Sequence, residues 1–286
     1  MNKLLKTMVF DNDLSLSVLD TTDMVNTAIK IHGLTPTTAA TLGRTLTVGT
    51  FMAGDLKNDR DTLSITIAGD GVGGKITVCG NGKYQMRGSM MNPKADLPLK
   101  PNGKLDVGGC VGQGRITVVK NMGLKEPYSG TCRIITGEIA QDFTAYYAYS
   151  EQRPTAIALG VKIGKDLTCV GAGGVILQAF PGAKEENLIK AEKVISELSN
   201  VSTLIEEMGA EGIIKKYFGD LEVYEYFPEY KCTCSREKTE RILFSLGKDE
   251  VRSIIKEQGR VKVDCEFCRT EYIFTEEDEK RLFNDN

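Results

Sequence analysis

The sequence of 286 residues contains a single histidine, His32. A Ser-His-Asp triad or a Cys-His pair would have to use that one side chain, and no recognisable nucleophile motif accompanies it. His32 directly precedes Gly33, where a helix is expected to end, and a helix C-terminus favours a partly charged imidazole. We therefore interpret His32 as a structural residue rather than a catalytic one.

The sequence also lacks a long uninterrupted apolar run and an excess of charge of one sign. The most apolar stretch, residues 39–56, contains Arg44 and Asp55, and the apolar run that begins at Met8 is broken at Asp11. Lys and Arg number 36 against 39 Asp and Glu, for a net charge of -3. We therefore expect no membrane span and no secretory signal, a cytoplasmic location, and no whole-chain attraction to nucleic acid or anionic membranes.

What the sequence does contain is a set of short β-branched runs bounded by turn residues, in a composition of 41% hydrophobic and 26% charged residues. Such runs predict strands. They cover residues 63–69, 75–79, 115–120, 131–137 and 173–180. Because turns separate them and helix-start signals occur at Thr22 and at Thr35 with Pro36, we expect an α+β fold, with a mixed or antiparallel sheet and packed helices.

Charge and glycine content divide the chain. Residues 231–286 hold 25 of the 75 charged residues but only two of the 30 glycines. The preceding stretch, 211–230, interleaves aromatic and acidic residues and needs a covering surface. We predict an N-terminal α+β core domain over 1–182, an amphipathic helical linker over 183–230, and a small C-terminal module over 231–286.

A glycine pattern resembling a dinucleotide-binding fingerprint is present at Gly69, Gly71 and Gly74. That fingerprint requires a helix after the glycines, whose N-terminus meets the pyrophosphate. Here a β-branched run follows instead, at residues 75–79. We therefore predict a hairpin turn, in which the glycines supply positive φ angles, and no nucleotide site.

The eight cysteines form two populations. Four are isolated, mostly in apolar runs, where a free thiol packs as a small hydrophobic side chain. These four are Cys79, Cys110, Cys132 and Cys169. We assign them to packing.

The other four cysteines form two close pairs, Cys232 with Cys234 and Cys265 with Cys268, separated by 30 residues. Two such pairs can place four sulfurs around one tetrahedral Zn²⁺. A module of this size has little core, and zinc binding contributes about 10–16 kcal/mol in small sites. The site could be a structural zinc ribbon, which is the usual role of four cysteines, or a redox switch. The second interpretation stays possible because only one residue separates Cys232 from Cys234, so the two could form a disulfide.

With this cysteine pattern at its C-terminal end, the chain resembles the heat shock protein 33 family, redox-regulated holdase chaperones of bacteria. Further segments resemble the family as well, so that the resemblance extends over nearly the whole chain. They are TTDMVN (21–26), LGRTL (42–46), GKLDVGGCVGQG (103–114), SGTCRIITGEIAQDF (129–143), SEQRPTAIALGV (150–161) and GAGGVILQAFPGA (171–183).

The resemblance implies a non-enzymatic, ATP-independent chaperone. In the reduced state Cys232, Cys234, Cys265 and Cys268 would hold one zinc ion, and the protein would be a monomer. Oxidation would form the disulfides Cys232–Cys234 and Cys265–Cys268, release the metal and unfold the module and linker. The opened form would dimerise and bind unfolded or partly unfolded client proteins, with no nucleic-acid or membrane partner.

Two other classes compete with this interpretation. A constitutive zinc ribbon that binds nucleic acid or a translation partner would be expected to carry a basic stripe, but residues 231–286 hold 12 Lys or Arg against 13 Asp or Glu. A thiol-disulfide oxidoreductase would place its C-x-x-C at a helix start, whereas Cys265 and Cys268 lie between two strand-like runs. Salt-sensitive nucleic-acid binding would support the first class, and turnover of a disulfide substrate the second.

Overall fold

The computed structural model describes residues 1–283. They form two compact units, residues 1–231 and the residues from Cys232 onward. The first unit combines two sheets with helices, which confirms the α+β class.

The strands of the first unit are β1 (Lys3–Val9), β2 (Leu14–Asp20), β3 (Thr62–Gly69), β4 (Ile76–Asn81), β5 (Gln85–Met90), β6 (Gly114–Asn121), β7 (Tyr128–Arg133), β8 (Thr155–Ile163), β9 (Cys169–Ala179), β10 (Tyr224–Tyr226) and β11 (Glu229–Tyr230). Its helices are α1 (Thr22–His32), α2 (Pro36–Ala53), α3 (Val107–Val111), α4 (Ile139–Tyr146) with a π-helical turn (Tyr147–Glu151), α5 (Glu185–Glu197) and α6 (Val201–Phe218).

The two sheets enclose helix α2. One sheet has the order β10-β1-β2-β9-β8, and the other β11-β5-β4-β3-β6-β7. Pairing is antiparallel between the described strands except for the parallel pair β11 and β5. Helix α2 begins as the sequence predicts, with Pro36 in its first turn and Thr35 and Thr38 in a reciprocal capping box. Nearly every residue of α2 is buried, so this helix is the centre of the main core.

The glycine-rich segment after β3 is a hairpin turn, since β3 and β4 pair antiparallel. The prediction of a turn is thus confirmed, but the roles of the glycines differ from those expected. Only Gly74 of the three has a positive φ, at 64°. A Cβ at Gly69 would lie 1.9 Å from the carbonyl oxygen of Val111, so this position needs glycine for close backbone contact.

The predicted linker region, residues 183–230, packs within the first unit. Helices α5 and α6 cover the outer face of the first sheet, and β10 and β11 add an edge strand to each sheet. Helix α6 lies very close to that sheet, because a Cβ at Gly171 would be 2.2 Å from the Ser202 carbonyl oxygen. Gly209, with φ 67° and ψ -177°, interrupts α6. The three-part division of the chain stays a prediction, and residues 284–286 of the expected module lie outside the described residues.

Within residues 232–283, the second unit has three helices and a two-stranded antiparallel sheet. Its elements are α7 (Arg236–Leu246), α8 (Lys248–Gln258), β12 (Val261–Asp264), β13 (Glu271–Phe274) and α9 (Glu276–Phe283). Among these described residues, four apolar side chains form the buried core: Leu243, Val251, Val261 and Phe274. None of the helices over residues 1–283 is both long enough and apolar enough to cross a bilayer.

Candidate metal centre

The first cysteine pair directly precedes helix α7. Ser235 caps that helix, its side chain accepting a hydrogen bond from the backbone N–H of Lys238. The extended backbone of the cap residue ends the irregular segment that carries Cys232 and Cys234. The cap thus fixes the direction in which the chain leaves this pair.

The second pair lies in the tight connection between β12 and β13. The backbone N–H of Arg269 donates to the Cys265 carbonyl at 2.8 Å, and the N–H of Cys265 donates to the Thr270 carbonyl at 2.9 Å. Arg269 takes the left-handed conformation that this turn requires, with φ 59°. The sheet register therefore brings Cys265 and Cys268 to one side of the turn.

The four sulfurs meet in one cluster. Cys232 Sγ lies 3.6 Å from Cys265 Sγ, and Cys234 Sγ lies 3.4 Å from Cys268 Sγ. All four sulfurs lie within 4.8 Å of one another. Four sulfurs at about 2.3 Å from a tetrahedral zinc would be separated by about 3.8 Å. The spacing and the donor type of this cluster therefore fit one tetrahedral zinc ion, and all four cysteines are free thiols rather than disulfides.

Two hydroxyl groups surround the sulfurs. The Tyr272 hydroxyl donates to Cys234 Sγ at 3.1 Å, and Thr270 Oγ1 lies 3.1 Å from Cys268 Sγ. Bonds of this kind orient metal ligands and stabilise the thiolate form. The sequence predicts the four cysteines but neither hydroxyl. Both hydroxyl residues lie within four positions of Cys268, and this closeness is the signal that could have identified them.

The environments of the four sulfurs differ. Burial raises the pKa of Cys232. Burial also raises the pKa of Cys265, although the backbone amides of Cys268 and Phe267 donate hydrogen bonds that act to lower it. Burial also acts to raise the pKa of Cys268, but hydrogen bonds from Thr270 and the neighbouring thiols lower it to about 7. The Tyr272 hydroxyl remains a donor at neutral pH, because its hydrogen bond to Cys234 raises its pKa to about 12. The site thus holds closely packed thiols that a cation would convert to thiolates.

The isolated cysteines lie elsewhere, in the first unit. Cys110, Cys132 and Cys169 are buried, whereas Cys79 is half-buried. Burial raises the pKa of each of the three buried thiols, that of Cys169 to about 12. A thiol that stays protonated is a poor nucleophile, so these side chains have the properties of packing residues.

Comparisons with known proteins agree with the arrangement of the whole chain. A family model described as Hsp33 protein matches residues 2–275. A 33 kDa chaperonin of Clostridium acetobutylicum is 38% identical over 283 residues, covering 97% of this chain and 95% of the relative. A 33 kDa chaperonin of Caldanaerobacter subterraneus subsp. tengcongensis is 43% identical over 272 residues, covering 93% of this chain and 92% of the relative.

The fold comparison leads to the same group. The crystal structure of a 33 kDa chaperonin, a heat shock protein 33 homolog from Thermotoga maritima, superposes with a TM-score of 0.91 at 32% identity. The match covers 98% of this chain and 97% of that structure. Since sequence and fold agree from the first strand to the four-cysteine module, the chain belongs to the Hsp33 family of chaperones.

Proposed function

We propose that this chaperone is a non-enzymatic, ATP-independent holdase of the cytoplasm, activated when oxidants convert its four-cysteine zinc centre to disulfides. The observation that carries the proposal is the sulfur cluster itself: four thiols lie within 4.8 Å of one another, in a module whose described part has four buried apolar side chains in its core. A module with so small a core depends on whatever holds the cluster together. The same four atoms thus control both metal binding and stability.

Cys232, Cys234, Cys265 and Cys268 would hold the ion in the reduced protein. When bound, zinc supplies a positive charge that keeps the sulfurs as thiolates and contributes folding free energy to the module. Four thiolates fill a tetrahedral shell and leave no open position for substrate. The site is therefore suited to a structural and redox role rather than to catalysis.

Oxidation removes the ligands. Four thiolates give up four electrons and become two disulfides. Two molecules of hydrogen peroxide accept these electrons, take four protons from solvent and become four waters. We propose the pairs Cys232–Cys234 and Cys265–Cys268, as in the family. The closest sulfur contacts run between the pairs, as expected for a cluster around one centre. Peptide mapping of peroxide-treated protein tests the pairing, and stable bridges to Cys79, Cys110, Cys132 or Cys169 would contradict it.

Loss of the zinc centre removes free energy comparable with the stability of a small domain, so the module should unfold. In the sequence, the unfolded part of the chain would then begin directly after β11 and shortly after β10. Strand β11 has only two residues, and all three residues of β10 are exposed. These short strands should open before the longer elements do. The linker would then separate from the first sheet.

Separation of the linker would expose two apolar surfaces at once. One is the inner side of α5 and α6, and the other is the sheet face on which they pack. Their buried residues are Leu5, Val9, Leu14, Leu16, Val18, Ala158, Val175, Leu177, Ala191, Leu198, Val201, Leu204, Ile205, Ala210, Ile213 and Ile214. An apolar area this large binds unfolded chains or a second copy, which accounts for client binding and for the proposed homodimer of the oxidised state.

Size-exclusion chromatography with light scattering tests the holdase proposal. Oxidised protein mixed with a chemically unfolded model client, without ATP, should elute as a complex, and without client it should elute as a dimer. The reduced zinc form should elute as a monomer in both cases. Hydrogen exchange supplies a structural control: the gain on oxidation should lie after about residue 184. An active oxidised protein that remains protected there would contradict the mechanism.

The charges of the second unit do not favour nucleic-acid binding. Arg236 lies 2.8 Å from Asp278, and Arg252 lies 3.0 Å from Glu279. Arg281 also pairs with Glu240. Cations that are neutralised within the module contribute little to attraction of phosphate backbones.

A further inference from the structure

A cavity of the first unit is not used by the zinc centre. It has a volume of about 370 Å³ and is lined by residues of α2, α4, β8, the end of α5 and the segment before α3. Ligand pockets usually have volumes of about 300–1,000 Å³. The space is therefore large enough for a small organic molecule.

The cavity wall contains three cations and one carboxylate. Arg44 Nη1 lies 2.8 Å from Glu138 Oε2, and Lys100 Nζ lies 2.6 Å from Glu138 Oε1. Lys104 also lines the cavity, and no acidic partner for it is found among residues 1–283. Each oxygen of Glu138 already faces a cation, and Asp106 Oδ1 lies 3.5 Å from Lys100 Nζ. The three cations therefore exceed the neighbouring carboxylates by one positive charge, in a chain whose net charge is -3.

Arg44 retains unused hydrogen-bonding capacity. Its side chain is only 18% exposed. Its Nε is buried without a hydrogen-bond partner, and Nη1 is the one guanidinium nitrogen that has a partner within the described part of the chain. A buried donor without a partner is costly and calls for an explanation such as a bound ligand. The planar guanidinium matches the geometry of an oxyanion.

The rest of the lining supplies an apolar surface and neutral polar groups. Leu105, Ile157 and Leu159 are apolar, whereas Asn102 and Gln141 offer amides. The lining comes largely from four segments identified in the sequence analysis, residues 42–46, 103–114, 129–143 and 150–161, which the metal centre does not use. We propose that this cavity binds a small phosphate monoester, its dianionic head against Arg44, Lys100 and Lys104 and its organic part against the leucine and isoleucine side chains. The three free oxygens of a phosphate monoester can each face one of these three cations, whereas a carboxylate has only two oxygens.

Titration calorimetry on the full-length, reduced, zinc-loaded protein tests this site independently of clients and of oxidation. Phenyl phosphate is the probe, at constant ionic strength because oxyanion binding is sensitive to salt. It should bind with one-to-one stoichiometry and more tightly than inorganic phosphate, while benzyl alcohol should not bind. Phenylacetate, which has a carboxylate head, should bind more weakly than phenyl phosphate.

A matched pair of lysine variants locates the binding. Lys104→Gln changes an exposed residue of the cavity wall, so the fold should be retained, and it should weaken phenyl phosphate binding about tenfold. Lys125→Gln, an exposed lysine outside the cavity, should bind like the unaltered protein. Any of four results would overturn the proposal. Phenyl phosphate shows no saturable binding up to about 10 mM, or it binds Lys104→Gln as tightly as the unaltered protein. Phenylacetate binds as tightly as phenyl phosphate, or only acidic peptides bind.

Discussion

The Tyr272 hydroxyl donates a hydrogen bond to Cys234 Sγ across 3.1 Å, linking strand β13 to the cysteine pair that precedes α7. This bond joins the two halves of the sulfur cluster, which lie more than 30 residues apart in the chain. Its loss should weaken metal binding without removing a ligand, because such outer hydrogen bonds contribute about 10- to 100-fold to metal affinity.

Tyr272→Phe should therefore lower zinc affinity about tenfold while leaving the stoichiometry at one ion per chain. Competition with a chromophoric chelator measures this affinity. Tyr149→Phe, which changes a tyrosine that is 73% exposed in the first unit, is the control and should bind zinc normally. Equal affinities of the two variants would show that the hydroxyl does not support the site.

Cys265→Ser removes one of the four sulfurs. If zinc binding contributes about 10–16 kcal/mol, each of the four ligands accounts for about 2.5–4 kcal/mol, so zinc affinity should fall about 100- to 1,000-fold. The second unit should become more mobile, as hydrogen exchange would show. Cys79→Ser, in the first unit, should keep its zinc; full retention by Cys265→Ser in elemental analysis would refute the ligand assignment.

Zinc affinity should depend steeply on pH. Burial raises the pKa of Cys232 and Cys265, so both thiols are protonated at neutral pH in the metal-free site and must lose their protons when the metal binds. Two released protons make the apparent affinity fall by at least about 100-fold for each pH unit of acidification. Chelator competition at pH 8, 7 and 6 measures the slope, and a pH-independent affinity would exclude thiolate ligation.

The contact of α6 with the first sheet should restrain activity in the reduced protein. Ile205 is 4% exposed, and Ile205→Glu would bury a charge at that contact, at a cost of about 3 kcal/mol. This variant should suppress aggregation of a client without oxidation. Ile189→Glu makes the same change at an isoleucine of α5 that is 60% exposed and should stay inactive when reduced. If both reduced variants behave alike, release of the linker is not the activating step.

The four ligand residues could be predicted from the sequence because residue type and spacing alone identify them. Several strands could be predicted for a similar reason: the run at 63–69 is β-branched and became β3 (Thr62–Gly69). The strand predicted over 131–137 is only partly formed. Strand β7 ends at Arg133 because the backbone N–H groups of Ile135 and Thr136 donate to Asp142 Oδ1, each at 2.9 Å, instead of to a strand.

Other features depend on partners far away in the chain. Strand β10 has three residues and exists through its pairing with β1, in which Leu4 faces Tyr226. No local pattern encodes a pairing over such a separation. The apolar residues at the end of α7 would all be assigned to the core of the module by residue type, but only some of them are buried. Leu243 is buried, whereas Phe244 is 62% exposed, because consecutive helical residues point in different directions.

The central claim is that oxidation of the four cysteines turns on chaperone activity. Light scattering from a chemically unfolded model protein, diluted into buffer with either the reduced zinc form or the peroxide-treated form, tests it directly. The account predicts strong suppression of aggregation by the oxidised form, without ATP, and little by the reduced form. Equal suppression by the two forms would contradict it.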